Sequence, residues 1–533
     1  MPDRTVFVNG KVFVGDAARS WARAVAVEGG RIVAVGNEAE VGYFSAGADL
    51  VDLEGRLLTP GFTDAHVHPH HGGEKLLGCN LLDAPDREAA MAIVADYVAT
   101  HPGDDWVKGG GWSQDWFPNA CPSATELDAV VGERPVFFGN RDGHGGWASS
   151  AALRLAGVTS ATADPPDGRI ERLPDGSPQG TFHEGAMALI ESAMPAPTAE
   201  EDIAALRAGQ DHLLSFGITG WMDAWVDEPL HRAYRVLAER GELKGSVLGA
   251  LWWDRSGGLD QIDRLRSWRE QWVEGYRPTA VKLMLDGVVE NFTASMLEPY
   301  DRVGGTGIDM IDPADLKEIV TRLDALGFQC HFHAIGDAAV RNGLDAVEAA
   351  RMANGWSDLR HSISHLQVVH PQDIGRFHRL GVIANIQPLW ACEDGYQAEL
   401  TQPFLGRQRS EWQYPFGALV AAGATMAGGS DWSVSTCDVM EQVHVATTRV
   451  PAGDRGYPPL TPDQRIDPVS ALGAFTAGSA WHNHDEARRG SVTVGNVADL
   501  VILDRNPFED GDFAATKVDM VMAGGDWVGR KEA

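Results

Sequence analysis

The chain has 533 residues, and its 44 lysines and arginines stand against 75 aspartates and glutamates, which gives a formal net charge of −31. A surface this acidic repels nucleic acids and anionic membranes, so neither is expected as a partner. The hydrophobic fraction of 44% is ordinary for a globular protein and argues against a disordered chain.

Cysteine usage and the N-terminal sequence both indicate a reducing compartment. An odd number of widely spaced cysteines without a Cys-x-x-Cys pair argues against a disulfide framework and against a thiolate zinc site. The N-terminal segment lacks the apolar core of a signal peptide, and no apolar run reaches the roughly 18 residues that span a bilayer. We therefore expect a soluble, cytoplasmic protein. The five cysteines are Cys79, Cys121, Cys330, Cys392 and Cys437.

Both ends of the chain have the alternating pattern of β-strands. Residues 5–14 predict two strands around an Asn9-Gly10 turn, and residues 23–36 predict another pair around Gly29-Gly30. The same pattern returns over 490–504 and 518–529. We interpret these segments as one β-sandwich domain built from residues 1–59 and 487–533, although two separate β appendages are an alternative.

The middle of the chain alternates short apolar runs with helical patterns. Eight such βα units predict an α/β fold of the (β/α)₈ TIM-like barrel type, over residues 60–80 and 200–486. Residues 81–199 are rich in Gly, Pro and Trp and are interpreted as an insertion after the first barrel strand. The eight predicted strands lie within 58–68, 218–224, 246–253, 279–287, 328–337, 360–368, 381–389 and 423–432.

Histidines and one aspartate stand at the ends of several predicted barrel strands. His66 and His68 are two residues apart, so their side chains point to the same side of a strand. His333, His365 and Asp431 each stand where a later strand runs into its loop. Barrel chemistry gathers at these C-terminal strand ends. Imidazole and carboxylate ligands suit zinc, and manganese, iron, cobalt or nickel are alternatives, so we expect one or two divalent ions.

Lys282 is unusual because it lies within the apolar strand segment AVKLMLDG. A bare ammonium group is costly to bury there. The residues leave three alternatives: the side chain extends outward to solvent, it pairs with Asp286, or its lowered pKa lets it react with carbon dioxide. The resulting carbamate would be an anionic ligand able to bridge two metal ions.

The motifs resemble the amidohydrolase superfamily, in the amidohydrolase family 3 branch that contains N-substituted formamide deformylase. They cover almost the whole chain in the family's order. The resemblance implies a metal-bearing barrel, a discontinuous β-sandwich and hydrolysis of a C–N bond. The motifs are LLTPGFTDAHVHPH, GGGW, DGHGGWASSAAL, DGSPQGTFHEGAM, VKLMLDG, CHFHAIGDAAV, ISHLQVV, GGSDW and RRGSVTVGNVADLVILDRNPF.

The resemblance also implies a set of metal ligands, residue by residue. Two features leave this assignment open. His331 stands two residues before His333 and could be the ligand in its place. His70 and His71 extend the first motif, so they are further possible ligands there. Lys282 matches a lysine that is carboxylated in two-metal members. The implied ligands are His66, His68, Lys282, His333, His365 and Asp431.

The expected reaction is hydrolysis of a non-peptide C–N bond, of amide or formamide type, by a metal-activated hydroxide, with Asp431 as the proton shuttle. His144 is a candidate for contacting the substrate or the developing oxyanion, the alternative being a loop histidine bonded to backbone. Trp112 and Glu184 are further substrate-binding candidates. The expected partners are a small-molecule substrate and a second copy of the chain in a homodimer.

Other functions fit parts of the same pattern. An ester, lactone or carbamate hydrolase would use the same metal chemistry. A deaminase of the superfamily typically uses one metal and lacks the lysine ligand, so Lys282 argues against it. A non-catalytic scaffold is the least favoured alternative, because every expected ligand position is filled.

Overall fold

A parallel sheet of eight strands forms the centre of the protein. The computed structural model describes residues 4–103, 105–453 and 456–530. Each strand of this sheet pairs with the next one along the chain, which confirms the predicted barrel. In order, the barrel strands are Phe62–Val67, Ile218–Val226, Ser246–Trp252, Tyr276–Met284, Gln329–Ala334, Ser362–His365, Ile383–Ile386 and Met426–Gly428.

Helices follow the strands and cover the outside of the barrel. The longest of them, Asp337–Asn354, buries Val340, Leu344 and Val347, whose spacing of three and four residues gives one apolar face toward the strands. The helices of the barrel are Pro69–Leu77, Ala199–Ser215, Glu228–Glu239, Gln261–Arg269, Pro313–Ala325, Asp337–Asn354, Pro371–Leu380, Gln402–Ser410, Phe416–Ala421 and Val439–Thr448.

Hydrogen bonds around the eighth strand close the barrel against the first. The backbone N–H of Asp431 donates to the carbonyl oxygen of His66 at 2.8 Å. The side-chain amide of Asn385 donates to the carbonyl oxygen of Ala65 at 2.8 Å. A Cβ added at Gly429 would lie 2.6 Å from the Cβ of His66, so only glycine lets the two strands approach this closely.

Both ends of the chain contribute to two smaller sheets that share one apolar core. Strand Leu57–Pro60 pairs with Leu500–Leu503, which joins the N-terminal and C-terminal segments in one sheet. The predicted β-sandwich built from both termini is thereby confirmed, whereas its exact boundaries stay a prediction. One sheet contains Arg4–Val8, Ala24–Glu28, Arg31–Gly36 and Asp49–Asp52, and the other contains Lys11–Phe13, Trp21–Ala22, Leu57–Pro60, Leu500–Leu503, Val518–Ala523 and Asp526–Arg530.

The first predicted hairpin is wrong, while the second is confirmed. The strands on either side of Asn9-Gly10 do not pair with each other, because each belongs to a different sheet of the sandwich. The chain crosses between the sheets here, and Gly10 packs directly on Leu53. Around Gly29-Gly30 the two strands pair antiparallel as predicted.

The segment between the first and second barrel strands forms its own sheet, as predicted for the insertion. The helices Arg87–Thr100, Ala124–Val131, Ser150–Leu155 and the short Ala188–Glu191 accompany it. Across the described ranges, no helix combines the length and apolar character needed to cross a membrane. The strands of this sheet are Cys79–Asn80, Val107–Trp112, Val136–Asn140, Gly145–Ala148, Gly168–Arg172 and Pro178–Glu184.

Asp64 gives a test of barrel closure. Its Oδ1 accepts hydrogen bonds from the backbone N–H groups of His66 and Ser430, both at 3.0 Å, within a fully buried site. Asp64→Ala would leave both donors unpartnered, so we expect it to lower the free energy of unfolding by about 2–4 kcal/mol. Asp64→Asn keeps one acceptor oxygen and should cost under about 1 kcal/mol. Urea unfolding compares the two variants, and equal stability would contradict this role.

Candidate metal centre

The first and last barrel strands bring three site residues together. His66 lies on the first strand just before its last residue, His68 follows the strand directly, and Asp431 lies just beyond the eighth. Nε2 of His68 lies 3.2 Å from Oδ1 of Asp431, and Nε2 of His66 lies 3.5 Å from the same oxygen. The pair predicted to point the same way therefore meets one carboxylate.

His365, at the end of the sixth strand, completes this cluster. His66, His365 and Asp431 offer ligand atoms that all lie within 4.8 Å of one another. His365 and Asp431 both adopt positive φ, 78° and 54°, a conformation that costs side chains such as theirs of order 1–3 kcal/mol. The fold holds both residues in this conformation, which turns their side chains toward the first strand.

His333 lies on the far side of His365 from the aspartate cluster. The rings of His333 and His365 are 4.4 Å apart between centroids, and the ring of His144 from the insertion is 5.2 Å from His333. Nε2 of His333 lies 3.3 Å from the carbonyl oxygen of Gly287. The predicted ligands therefore form one continuous group that extends toward the insertion.

In the described structure, Lys282 neither extends to solvent nor forms an ion pair with Asp286. The residue is only 2% exposed, so it does not extend to solvent. Asp286 instead accepts hydrogen bonds from the backbone N–H groups of Ser295, Ile335 and Gly336. Nζ of Lys282 lies 3.4 Å from Nε2 of His66. Burial lowers the pKa of Lys282 to about 7, although the nearby carboxylates oppose this.

His331, the predicted alternative to His333 as a metal ligand, lies where it can orient His66. Its Nε2 lies 2.8 Å from Nδ1 of His66, and its Nδ1 lies 2.8 Å from Oγ of Ser362. Oγ of Ser364 lies within 3.0 Å of both histidines. His331 is therefore engaged with polar neighbours behind His66, and a network of this kind orients a ligand imidazole.

His70 and His71 belong to the helix that follows the first strand. Nε2 of His70 lies 3.1 Å from a carboxylate oxygen of Asp202. The ring of His71 packs edge-on against Trp225 at 5.4 Å. His66 and His68, rather than these two, are the histidines of the motif that meet Asp431.

The buried cluster has the donor set and the unmet polar groups of a metal site. Burial, together with the positive charge of Lys282, holds the pKa of His66 well below its usual range, so the ring is neutral. Within the described chain, Nδ1 of His68, both ring nitrogens of His365 and Oδ1 of Asp431 have no hydrogen-bond partner. Neutral imidazoles and a carboxylate in a buried site match the ligands of zinc and similar divalent ions.

His144 and Glu184 form a partly buried ion pair beside this cluster. Nδ1 of His144 lies 2.9 Å from Oε2 of Glu184, and Oγ1 of Thr293 donates to Oε1 at 2.8 Å. Burial alone would lower the pKa of His144, but the charge and hydrogen bond of Glu184 outweigh it and raise the pKa to about 9. His144 is thus a cation at neutral pH, next to His333.

The prediction that Trp112 contacts the substrate is wrong. Its side chain is fully buried in the core of the insertion, where it packs against Phe117 and Trp147. Its Nε1–H donates to the carbonyl oxygen of Phe138 at 2.8 Å. A residue sealed in this way cannot touch a substrate without unfolding its surroundings.

Several site residues were missed by the sequence analysis. Gln387 accepts a hydrogen bond from the backbone N–H of His365 at 2.7 Å, and the ring of Trp390 stacks on that of His365 at 5.1 Å. The serines that contact His66 and His331 could have been found, because Ser362 and Ser364 alternate along one strand and so face the same side. Gln387 could also have been found, because it lies at the end of the predicted seventh strand, which neighbours the sixth in a barrel.

The barrel and the cluster define a metal-dependent hydrolase, and the comparisons place it in a family. The profile of the Amidohydrolase family matches residues 49–528, so the chain belongs to that family. Protein LONG AFTER FAR-RED 3 of Arabidopsis thaliana is 30% identical over 94% of this chain and 87% of its own length. N-substituted formamide deformylase of Arthrobacter pascens is 26% identical over 95% and 94%.

A solved structure shows the same fold. An uncharacterized metal-dependent hydrolase from Pyrococcus horikoshii OT3 aligns with a TM-score of 0.74 and 24% identity, covering 95% of this chain and 98% of that one. The barrel and its additional sheets are therefore an established arrangement.

The pKa of His144 tests the ion pair. Glu184→Gln removes the negative charge that opposes burial, so the pKa should fall from about 9 toward or below its usual 6.5. An NMR titration of the imidazole signals measures the change. Glu200→Gln is a suitable control, because Glu200 lies on an exposed helix surface and pairs only weakly with Arg240. An unchanged titration in Glu184→Gln would contradict the pair.

Proposed function

We propose that the protein hydrolyses a non-peptide C–N bond of the amide or formamide type. The observation that carries the proposal is the convergence of His66, His68, His365 and Asp431 in one buried cluster with unpartnered ligand atoms. The similarity to a relative named N-substituted formamide deformylase supports the type of bond.

The proposed metal ligands divide into two groups along the cluster. His66, His68 and Asp431 would hold one ion, and His333 and His365 would hold a second. Lys282 has a buried amine with a lowered pKa, and as a carbamate it would supply oxygens to both. When bound, a divalent ion such as zinc makes water a better nucleophile and polarises the carbonyl of the substrate.

Asp431 is the proposed proton shuttle. Its Oδ1 is buried and unpartnered, and faces the histidines of the first strand. We infer that it takes a proton from the attacking water and returns it to the amine nitrogen as the C–N bond breaks. The amine would otherwise leave as an unstable anion.

His144 is the proposed contact for the oxygen of the scissile carbonyl. Its positive charge, fixed by Glu184, lies beside His333 at the inner edge of the insertion. A cation in this position stabilises negative charge as it develops on that oxygen, and burial strengthens the interaction. The insertion would thus complete a site whose metal ligands all come from the barrel.

A substrate screen tests the bond type. The panel contains N-substituted formamides, N-acyl amino acids, carbamates and lactones, assayed with metal-loaded protein. We expect turnover of an amide or formamide and release of the amine. Preferred turnover of a lactone or carbamate would contradict the proposed specificity while leaving the metal-dependent hydrolase intact.

Metal content and Lys282 give a second test. Elemental analysis of purified protein should find one or two equivalents of a transition metal for the barrel cluster, most of it zinc, in addition to any ion bound elsewhere in the chain. Lys282→Ala should lose activity together with one equivalent, and short carboxylic acids added to this variant should partly restore both by supplying the missing oxygens. Lys244→Ala, at an exposed position, is the control. A Lys282→Ala variant with full metal and rate would make the lysine structural.

Asp431→Asn separates the shuttle from a simple ligand role. The amide keeps the size of the side chain and one weakly coordinating oxygen, but it is not a base. We expect kcat to fall by roughly 10²–10⁴, the usual contribution of general acid–base catalysis, with a much smaller change in KM. Metal analysis of the same preparation must show unchanged content. If kcat is retained with the metal present, the base is another residue.

A further inference from the structure

A second group of metal-ligand side chains lies in the insertion, apart from the barrel cluster. Cys121, Glu171 and His183 offer a sulfur, an oxygen and a nitrogen that all lie within 4.8 Å of one another. His183 is only 2% exposed, and in the described structure neither ring nitrogen makes a hydrogen bond of acceptable geometry. Its Nε2 lies 3.1 Å from Oε1 of Glu171, so the ring is aimed into the group.

The strand that carries His183 also fixes the position of Cys121. Alternate residues of strand Pro178–Glu184 face the same side. On that side, Nε2 of Gln179 donates to the carbonyl oxygen of Cys121 at 2.9 Å, and Oγ1 of Thr181 donates to that of Pro122 at 2.6 Å. These two bonds hold the Cys121 segment against the strand, so the thiol lies near His183 before any ion binds.

Glu171 reaches the group from the neighbouring strand. Arg169 pairs directly with His183 in the antiparallel ladder, and Glu171 lies two residues further on the same side. Nε of Arg169 donates to Oε1 of Glu171 at 2.8 Å. That contact orients the carboxylate and leaves Oε2 as the oxygen available to a ligand.

We propose that Cys121, Glu171 and His183 bind one zinc ion, separate from the proposed catalytic ions. A thiolate, an imidazole and a carboxylate are ligands that zinc takes in proteins, and water would complete the tetrahedron. One thiolate and one carboxylate balance the charge of the ion. Binding must displace the proton of the thiol, because zinc binds the thiolate form.

The position of this site gives it a structural role. The ion would join the Cys121 segment to the hairpin formed by Gly168–Arg172 and Pro178–Glu184. Glu184 is the next residue after His183 and contacts His144 on the other side of the chain. Zinc would thus stiffen the strand end that holds the ion pair, and its binding does not depend on the reaction that the barrel catalyses.

Cobalt(II) titration of the full-length protein tests the site. A cobalt–thiolate bond gives a charge-transfer absorption band, and none of the proposed barrel ligands is a thiol. Among the described residues, no other cysteine belongs to a group of three such ligands. In metal-depleted protein we expect the band to reach the intensity of one thiolate-bound cobalt per chain, to be absent from Cys121→Ser, and to require more than about tenfold higher cobalt in His183→Gln.

Two controls make the result decisive. Cys79→Ser, at a buried cysteine of the same insertion, should keep the band. In the unmodified sequence, zinc should protect Cys121 from alkylation by iodoacetamide, as read by peptide mass, which requires no variant to fold. A band that persists in Cys121→Ser, no band in the folded wild type, or alkylation of Cys121 at an unchanged rate with zinc would each overturn the proposal.

Discussion

The hydrogen bond from the backbone of Asp431 to the carbonyl oxygen of His66 joins the last barrel strand to the first. The same two residues bring a carboxylate and an imidazole to the candidate metal centre, so closing the barrel also assembles this cluster. Gly429 is required beside them, because any side chain would push the strands apart. A change that loosens this closure therefore separates ligands that are remote in sequence.

Burial determines the electrostatics of the centre. Four histidines and a lysine are packed together at the barrel mouth, and burial holds their pKa values down, so they favour their neutral forms. Within the part of the chain that the structure describes, ring nitrogens of His68 and His365 and Oδ1 of Asp431 have no hydrogen-bond partner. A divalent cation would coordinate these unpartnered atoms together. The packing of the barrel therefore favours metal binding.

Much of the fold and part of the site could be predicted from the sequence. The alternation of side chains along a strand and the succession of strands and helices along the chain can both be recognised in the sequence itself. The eight strands and the convergence of His66, His68 and Asp431 follow from such patterns. Trp112 was misjudged, since an aromatic residue in a glycine-rich segment looks the same whether it lines a pocket or fills a core. The hairpin predicted around Asn9-Gly10 was wrong, because a local hairpin signal carries no information about which sheet each strand joins.

Pairing between strands Leu57–Pro60 and Leu500–Leu503 has a consequence for biosynthesis. Strand Leu57–Pro60 leaves the ribosome early, and one of its edges stays unpaired while the entire barrel is synthesised. Only when the distal strands emerge does the sheet gain its neighbours and cover its apolar face. The sandwich is therefore the last part of the fold to be completed. Truncated chains that lack the distal strands would expose an unpaired, aggregation-prone strand edge beside the barrel.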